Sequence, residues 1–222
     1  MPPAPRGWLG LIAALAASVV AVLGIRYAGA GEPGAVDARI LAAVDGVGPP
    51  WRYAALVADF LGEPVGAAAL VAVMVAGCLL LRRPRAAVLV VAGAGTAVGT
   101  ATLLKHLVGR TIHGGNLSYP SGHTAFATAL ALVVAMLAAR RRGRDGPGPG
   151  GAVGTALVLA APPVAGVAMG WAQVALGAHY PTDALGGWCT ALAVVPATAW
   201  LVDRTADRLA DRTAGAGRRE RR

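Results

Sequence analysis

The chain has 222 residues, of which 56% are hydrophobic and 14% charged. A soluble domain carries about one quarter charged residues, so this deficit argues against an ordinary soluble protein and for a membrane protein. The net charge of +9 would suggest nucleic acid in a soluble protein, but here it is almost all arginine in short loops and a tail, which fits membrane topology and gives no nucleic-acid partner.

The first apolar run covers residues 7–24, follows Arg6, and predicts a helix over about 7–27. Ala28-Gly29-Ala30 resembles a cleavage site, but the run is long for a signal peptide, and a retained helix is expected. Residues 31–62 carry Asp37, Arg39, Asp45, Arg52 and Asp59, with Ile40, Leu41 and Val44 at helical spacing. Short interfacial helices are expected there. A second span is predicted over 64–81, ending at Arg82-Arg83-Pro84-Arg85, and a third over 86–104, ending at Lys105. Gly95-x3-Gly99 in the third has the spacing that lets helices approach closely in lipid.

A Gly-rich polar loop over 106–122 precedes a fourth helix, 123–139, which stops at Arg140-Arg141-Arg142. A Gly/Pro linker follows at 143–151. The fifth helix, 152–171, contains Pro162-Pro163, expected to kink it, and a second small-residue pair, Gly166-x3-Gly170. The sixth, 181–202, opens on Pro181, a favoured first-turn residue. Residues 203–222 form an Arg-rich tail expected to be cytoplasmic and a frayed or surface-lying helix separate from the sixth span. Cys78 and Cys189 both lie in apolar runs and read as buried and unpaired. No Cys/His cluster has zinc-like spacing, and no metal or other cofactor is expected.

Six spans alternate the loops between two sides. Fifteen of the 20 basic residues fall on one side, with the termini; Arg26, Arg39, Arg52, Lys105 and Arg110 fall on the other. The positive-inside rule then places both termini in the cytoplasm and Lys105, Arg110, His123, His179 and Asp183 together at the outer face.

Those residues carry the chemistry. Tyr119-Pro120-Ser121-Gly122-His123 and His179-Tyr180-Pro181-Thr182-Asp183 supply two imidazoles, a carboxylate four residues after a histidine, a hydroxyl and a glycine. Lys105 and Arg110 add two cations. Cations and backbone N–H groups hold phosphate oxygens. One imidazole can attack phosphorus while a carboxylate orients it, and the other can protonate the leaving oxygen.

At these residues the chain resembles the PAP2 superfamily, the type 2 phosphatidic acid phosphatases, which share a site with vanadium haloperoxidases. The family carries K-x6-R-P, P-S-G-H and S-R-x5-H-x3-D. The second block is complete at 120–123. The third keeps His179 and Asp183 but has Ala172 and Gln173 for Ser-Arg. The first keeps Lys105 but has Ile112 and His113 for Arg-Pro. The resemblance covers about the C-terminal two-thirds.

It implies an all-α, six-transmembrane-helix bundle with a PAP2/haloperoxidase-like core over residues 1–202. The implied activity is metal-independent hydrolysis of a lipid phosphate monoester or pyrophosphate through a phosphohistidine. Polyprenyl pyrophosphate, phosphatidic acid and phosphatidylglycerophosphate are unranked candidates, and the oligomeric state is open.

In that reading His179 is the nucleophile. Asp183 bonds its other ring nitrogen, and His123 is the general acid. Without P-S-G-H in register, His179-x3-Asp183 would read as a helix cap. Ser121 and the Gly122 N–H precede a helix start, where an anion is favoured, although a plain capping turn has the same sequence. Lys105 contacts phosphate, or merely snorkels at the boundary. Arg110 takes over from the absent arginine at Ile112. His113 adds a donor or is simply solvated. Tyr119, Tyr180, Trp171 and Trp188 read as interfacial anchors. The alternative reading is a catalytically weakened or inactive binder of lipid phosphates, motivated by the two missing arginines.

Overall fold

The computed structural model describes the backbone of residues 3–145 and 150–219, and the side chains of 9–139 and 159–212. It consists of α1 (Pro3–Arg26), α2 (Ala35–Val44), α3 (Trp51–Gly62), α4 (Pro64–Leu80), α5 (Pro84–Val108), α6 (Gly122–Asp145), α7 (Gly150–Ala175) and α8 (Pro181–Arg219), with a two-residue hairpin, β1 (Thr111–Ile112) and β2 (Asn116–Leu117). Each apolar run of the sequence is a helix, and α2 and α3 are the two short helices of the region between the first two runs.

Prolines set several starts. Pro64, Pro84 and Pro181 sit in the first turns of α4, α5 and α8, where a missing N–H costs nothing. Gly109, at φ 64°, ends α5 in the left-handed conformation a C-cap requires.

The core lies between α5, α6 and α8, with Val90, Ala97, Ala129, Val133, Ala191 and Val195 buried. Outward positions are apolar as well: Ile25, Val65, Leu80, Leu107 and Val167 are exposed. Such wide apolar exposure has lipid as its natural partner. Among the described residues four helices are long and apolar enough to cross a membrane. α3 and α4, bent by 69° about Glu63, make a fifth if counted as one span. The described apolar part of α7, Leu159–Ala175, is shorter than a span. Six spans were expected, and this count gives four or five.

Three expectations are corrected. Gly95 and Gly99 face open space and so pack no other helix of this chain; Gly93 instead meets Val133, and Gly166 and Gly170 receive Trp188 and Ala184 of α8. Tyr119 is fully buried and donates its hydroxyl to the Val20 carbonyl at 2.8 Å, and Tyr180 is nearly as buried. Both are internal struts between loops and helices, not anchors. The helical tail expected after 202 is not a separate element: α8 continues through 203 to Arg219, since Arg, Ala and Leu propagate a helix past the apolar stretch. There Asp207 pairs with Arg85 at 2.8 Å. Pro162 and Pro163 lie inside α7. Both cysteines are free, Cys189 buried and Cys78 half-buried.

Candidate active site

The C-termini of α1 and α5 meet the N-termini of α6 and α8 at one end of the bundle. Gly29 N–H donates to the Val108 carbonyl (2.8 Å), and Thr111 N–H to that of Ala30 (2.9 Å). β1 and β2 pair antiparallel, Thr111 with Leu117 and Ile112 with Asn116. Ile112 is buried beneath this hairpin. His113, at φ 48°, hydrogen-bonds through Nε2 with the Gly177 carbonyl at 2.7 Å. It therefore ties the hairpin to the α7–α8 loop.

Tyr119–Pro120 is a cis peptide that turns the chain into α6. Ser121 is buried, and its Oγ accepts from Thr124 N–H (3.4 Å) and Thr124 Oγ1 (3.1 Å). This is an N-cap of the helix. Its own N–H donates to the Asp183 carbonyl at 2.9 Å, which locks the start of α6 to the start of α8. The Gln173 carbonyl accepts from the N–H groups of Ala178 (2.9 Å) and His179 (3.3 Å), and so shapes the loop that presents His179.

His179 is buried, and its Nδ1 makes no hydrogen bond. Asp183 Oδ2 lies 3.7 Å from it, too far for the expected hydrogen bond. That oxygen instead accepts from Tyr180 N–H at 3.0 Å. The other, Oδ1, accepts from Arg110 Nη1 at 2.6 Å.

Arg110 is fully buried. Nη1 also reaches Thr182 Oγ1 (2.7 Å), and Nη2 reaches Asp37 Oδ2 (2.7 Å). The guanidinium is sandwiched between the rings of Tyr27 (3.9 Å) and Tyr180 (4.3 Å). Asp37 is itself fully buried and accepts from Thr182 N–H and Oγ1, both at 2.9 Å. Burial pushes the Tyr180 phenol up against the opposing pull of Arg110, so the hydroxyl stays protonated and donates to the Gly31 carbonyl at 3.1 Å. Arg110 was expected to hold phosphate. Its terminal nitrogens are committed to carboxylates and a hydroxyl, because two buried aspartates need a fixed cation more than an open site does.

His123 packs against Gly62 at the α3–α4 bend, where a Cβ would overlap its ring. Its Nε2 makes no hydrogen bond and lies 3.5 Å from Asp59 Oδ1 and 3.6 Å from Glu63 Oε1. Gln173 Nε2 donates to the same Asp59 Oδ1 at 2.7 Å. Among the described residues, Asp59, Glu63 and His123 are a group able to hold a metal ion, their ligand atoms lying within 4.8 Å of one another. A metal there would take His123 out of proton transfer. Lys105, in the last turn of α5, is within electrostatic reach of Asp183. His123 is within reach of both His179 and Lys105.

The PAP2 superfamily profile matches residues 87–207, more than half of the chain. The chain belongs to the PAP2 superfamily. No curated protein matches it by sequence. Its fold is similar to the crystal structure of a transmembrane PAP2-type phosphatidylglycerolphosphate phosphatase from Bacillus subtilis, with a TM-score of 0.67 and 22% identity. The match covers 88% of this chain and 96% of the other. With its apolar helices, the chain is a multi-pass membrane protein of the PAP2 class.

Against the PAP2 pattern, the two missing arginines have distinct replacements. Ile112 is core, while Gln173 faces the site and holds a carboxylate. Sequence reading did not single out Asp37, Asp59 or Glu63 as site residues. Signals were present: Asp37 shares the helical stripe of Ile40, Leu41 and Val44, and Asp59 and Glu63 are one turn apart just before Pro64.

Proposed function

We propose that this chain is a membrane lipid phosphatase acting on a lipid phosphate monoester or pyrophosphate at the outer face. His179 attacks phosphorus, the bond from phosphorus to the leaving oxygen breaks, and His123 supplies that oxygen's proton. Water, deprotonated by His123, then attacks the phosphohistidine and releases phosphate and His179. Asp183 orients His179, and the 3.7 Å gap closes as the imidazolium forms, since catalytic hydrogen bonds often tighten only on substrate binding. Lys105, Ser121 and the Gly122 N–H hold phosphate oxygens. Arg110 acts through Asp183, fixing its carboxylate. Phosphatidic acid, phosphatidylglycerophosphate and polyprenyl pyrophosphate all offer the required group.

The observation that carries this reading is that Lys105 at the end of α5, His123 at the start of α6, Asp183 at the start of α8 and His179 in the loop before it lie at one end of the bundle, within electrostatic reach of one another. Phosphate release from lipid phosphates in detergent with EDTA present is the test. The expected result is turnover that survives EDTA and is abolished by His179→Ala. Loss of turnover with EDTA would assign His123 to a metal instead. The neutral residues at 112 and 173 favour a second reading, a lipid-phosphate binder without turnover, which predicts saturable binding and no release.

A further inference from the structure

We infer that Asp59 and Glu63 restrict the leaving group to an alcohol, so that the substrate is a lipid phosphate monoester and a lipid diphosphate is refused. This rests on the phosphatase reading, in which His123 donates to the leaving oxygen. The leaving group must therefore lie against His123 Nε2, and both carboxylates are within 4 Å of that nitrogen. An ester releases a neutral alcohol there, whose hydroxyl the carboxylates accept as a hydrogen bond. A diphosphate releases a lipid monophosphate, which brings further negative charge to the same place.

No spare cation offsets that charge among the described residues around His123. Position 112 is a buried isoleucine. Position 173 is a glutamine that fixes Asp59 by a 2.7 Å hydrogen bond and adds no charge. Arg110 is spent on Asp37 and Asp183. Lys105 remains, and the transferred phosphoryl group needs it. Both carboxylates are open to a ligand, with side chains 28% (Asp59) and 52% (Glu63) exposed. At an effective dielectric of about 20, one added unit charge roughly 6 Å from a carboxylate is opposed by about a hundredfold in rate. Glu63, being half in solvent, contributes less than Asp59.

The test uses the full chain in detergent with farnesyl monophosphate and farnesyl diphosphate, which share one tail. The wild type is expected to favour the monophosphate in kcat/KM by about tenfold or more. Asp59→Asn with Glu63→Gln should lower that ratio by about tenfold, whatever happens to the absolute rate. Asn keeps an acceptor for Gln173, and Glu63→Gln alone, at an exposed side chain, should move the ratio the same way if the double variant fails to fold. A wild type that hydrolyses the diphosphate at least as well, or a ratio unmoved in both variants, overturns the inference. Release from neither compound, nor from phosphatidic acid run beside them, is a separate failure, that of the phosphatase reading, and removes the inference with it.

Discussion

Arg110 joins two carboxylates from opposite ends of the sequence, Asp37 and Asp183, each 73 residues away. A buried cation between two buried anions is favourable only as a set, and removing one member strands the others. Arg110→Ala should therefore cost about 3–5 kcal/mol of stability, seen as a lowered unfolding temperature in detergent. Arg110→Lys should recover little, because a single ammonium cannot bridge two carboxylates and stack between two rings. Asp37→Asn, at a residue outside the reacting groups, should lower kcat with KM nearly unchanged, because it loosens Asp183 rather than the phosphate. An Arg110→Ala enzyme that unfolds like wild type but shows a raised KM would return Arg110 to the role of phosphate ligand. Position 110 was legible in sequence as a site arginine. Its partner was not, because nothing local to Asp37 shows that α2 folds back onto the α8 start. His179 and Asp183 were legible because their i,i+4 spacing is local, and His123 because P-S-G-H is a local block at a helix start.

At the scale of elements, the site is set by how closely α6 meets α8 and the α3–α4 bend. A Cβ at Gly187 would strike the backbone carbonyl of Ser121, which cannot swing aside as a side chain can. Gly187→Ala should push the P-S-G-H turn away from His179 and cut phosphate release more than it lowers thermal stability. Gly95→Ala should do the opposite: its Cβ meets nothing, and alanine in a helix gains about 0.5–1 kcal/mol over glycine. Equal losses at both positions would mean that the spacing of small residues matters and the observed contacts do not. Apolar runs located every long helix, because lipid-facing and core-facing positions are both apolar here. Helix ends were less legible: α5 extends past Lys105 to Val108, and α6 past Ala139 to Asp145. Arginine marks where the apolar stretch stops, but it does not stop a helix. The glycine motif misled for a related reason, since spacing shows that two glycines share a face and not which face meets a neighbour.

For the whole molecule, the arginines set which side of the membrane the site is expected to serve. The site end of the bundle gathers the α1 and α5 C-termini and the hairpin at 111–117, while the α4–α5 turn at Leu81–Arg83 lies at the other end of both helices. Arg82, Arg83 and Arg85 cluster at that turn, and Arg204, Arg208 and Arg212 lie on the far part of α8, where Asp207 already pairs with Arg85. The two ends of the structure thus divide the arginines as the loops did in sequence, and the charge-rich end is the one expected to stay in the cytoplasm. The native thiols are first removed as Cys78→Ala and Cys189→Ala. A cysteine placed at Asn116, an exposed hairpin residue, should then react in intact cells with a membrane-impermeant thiol reagent. One placed at Arg83 should react only after the cells are opened. If labelling is reversed, the bundle is inverted and the phosphate it meets belongs to the inner leaflet. The His179 chemistry would stand unchanged, and the pool of lipid it draws on would be the cytoplasmic one.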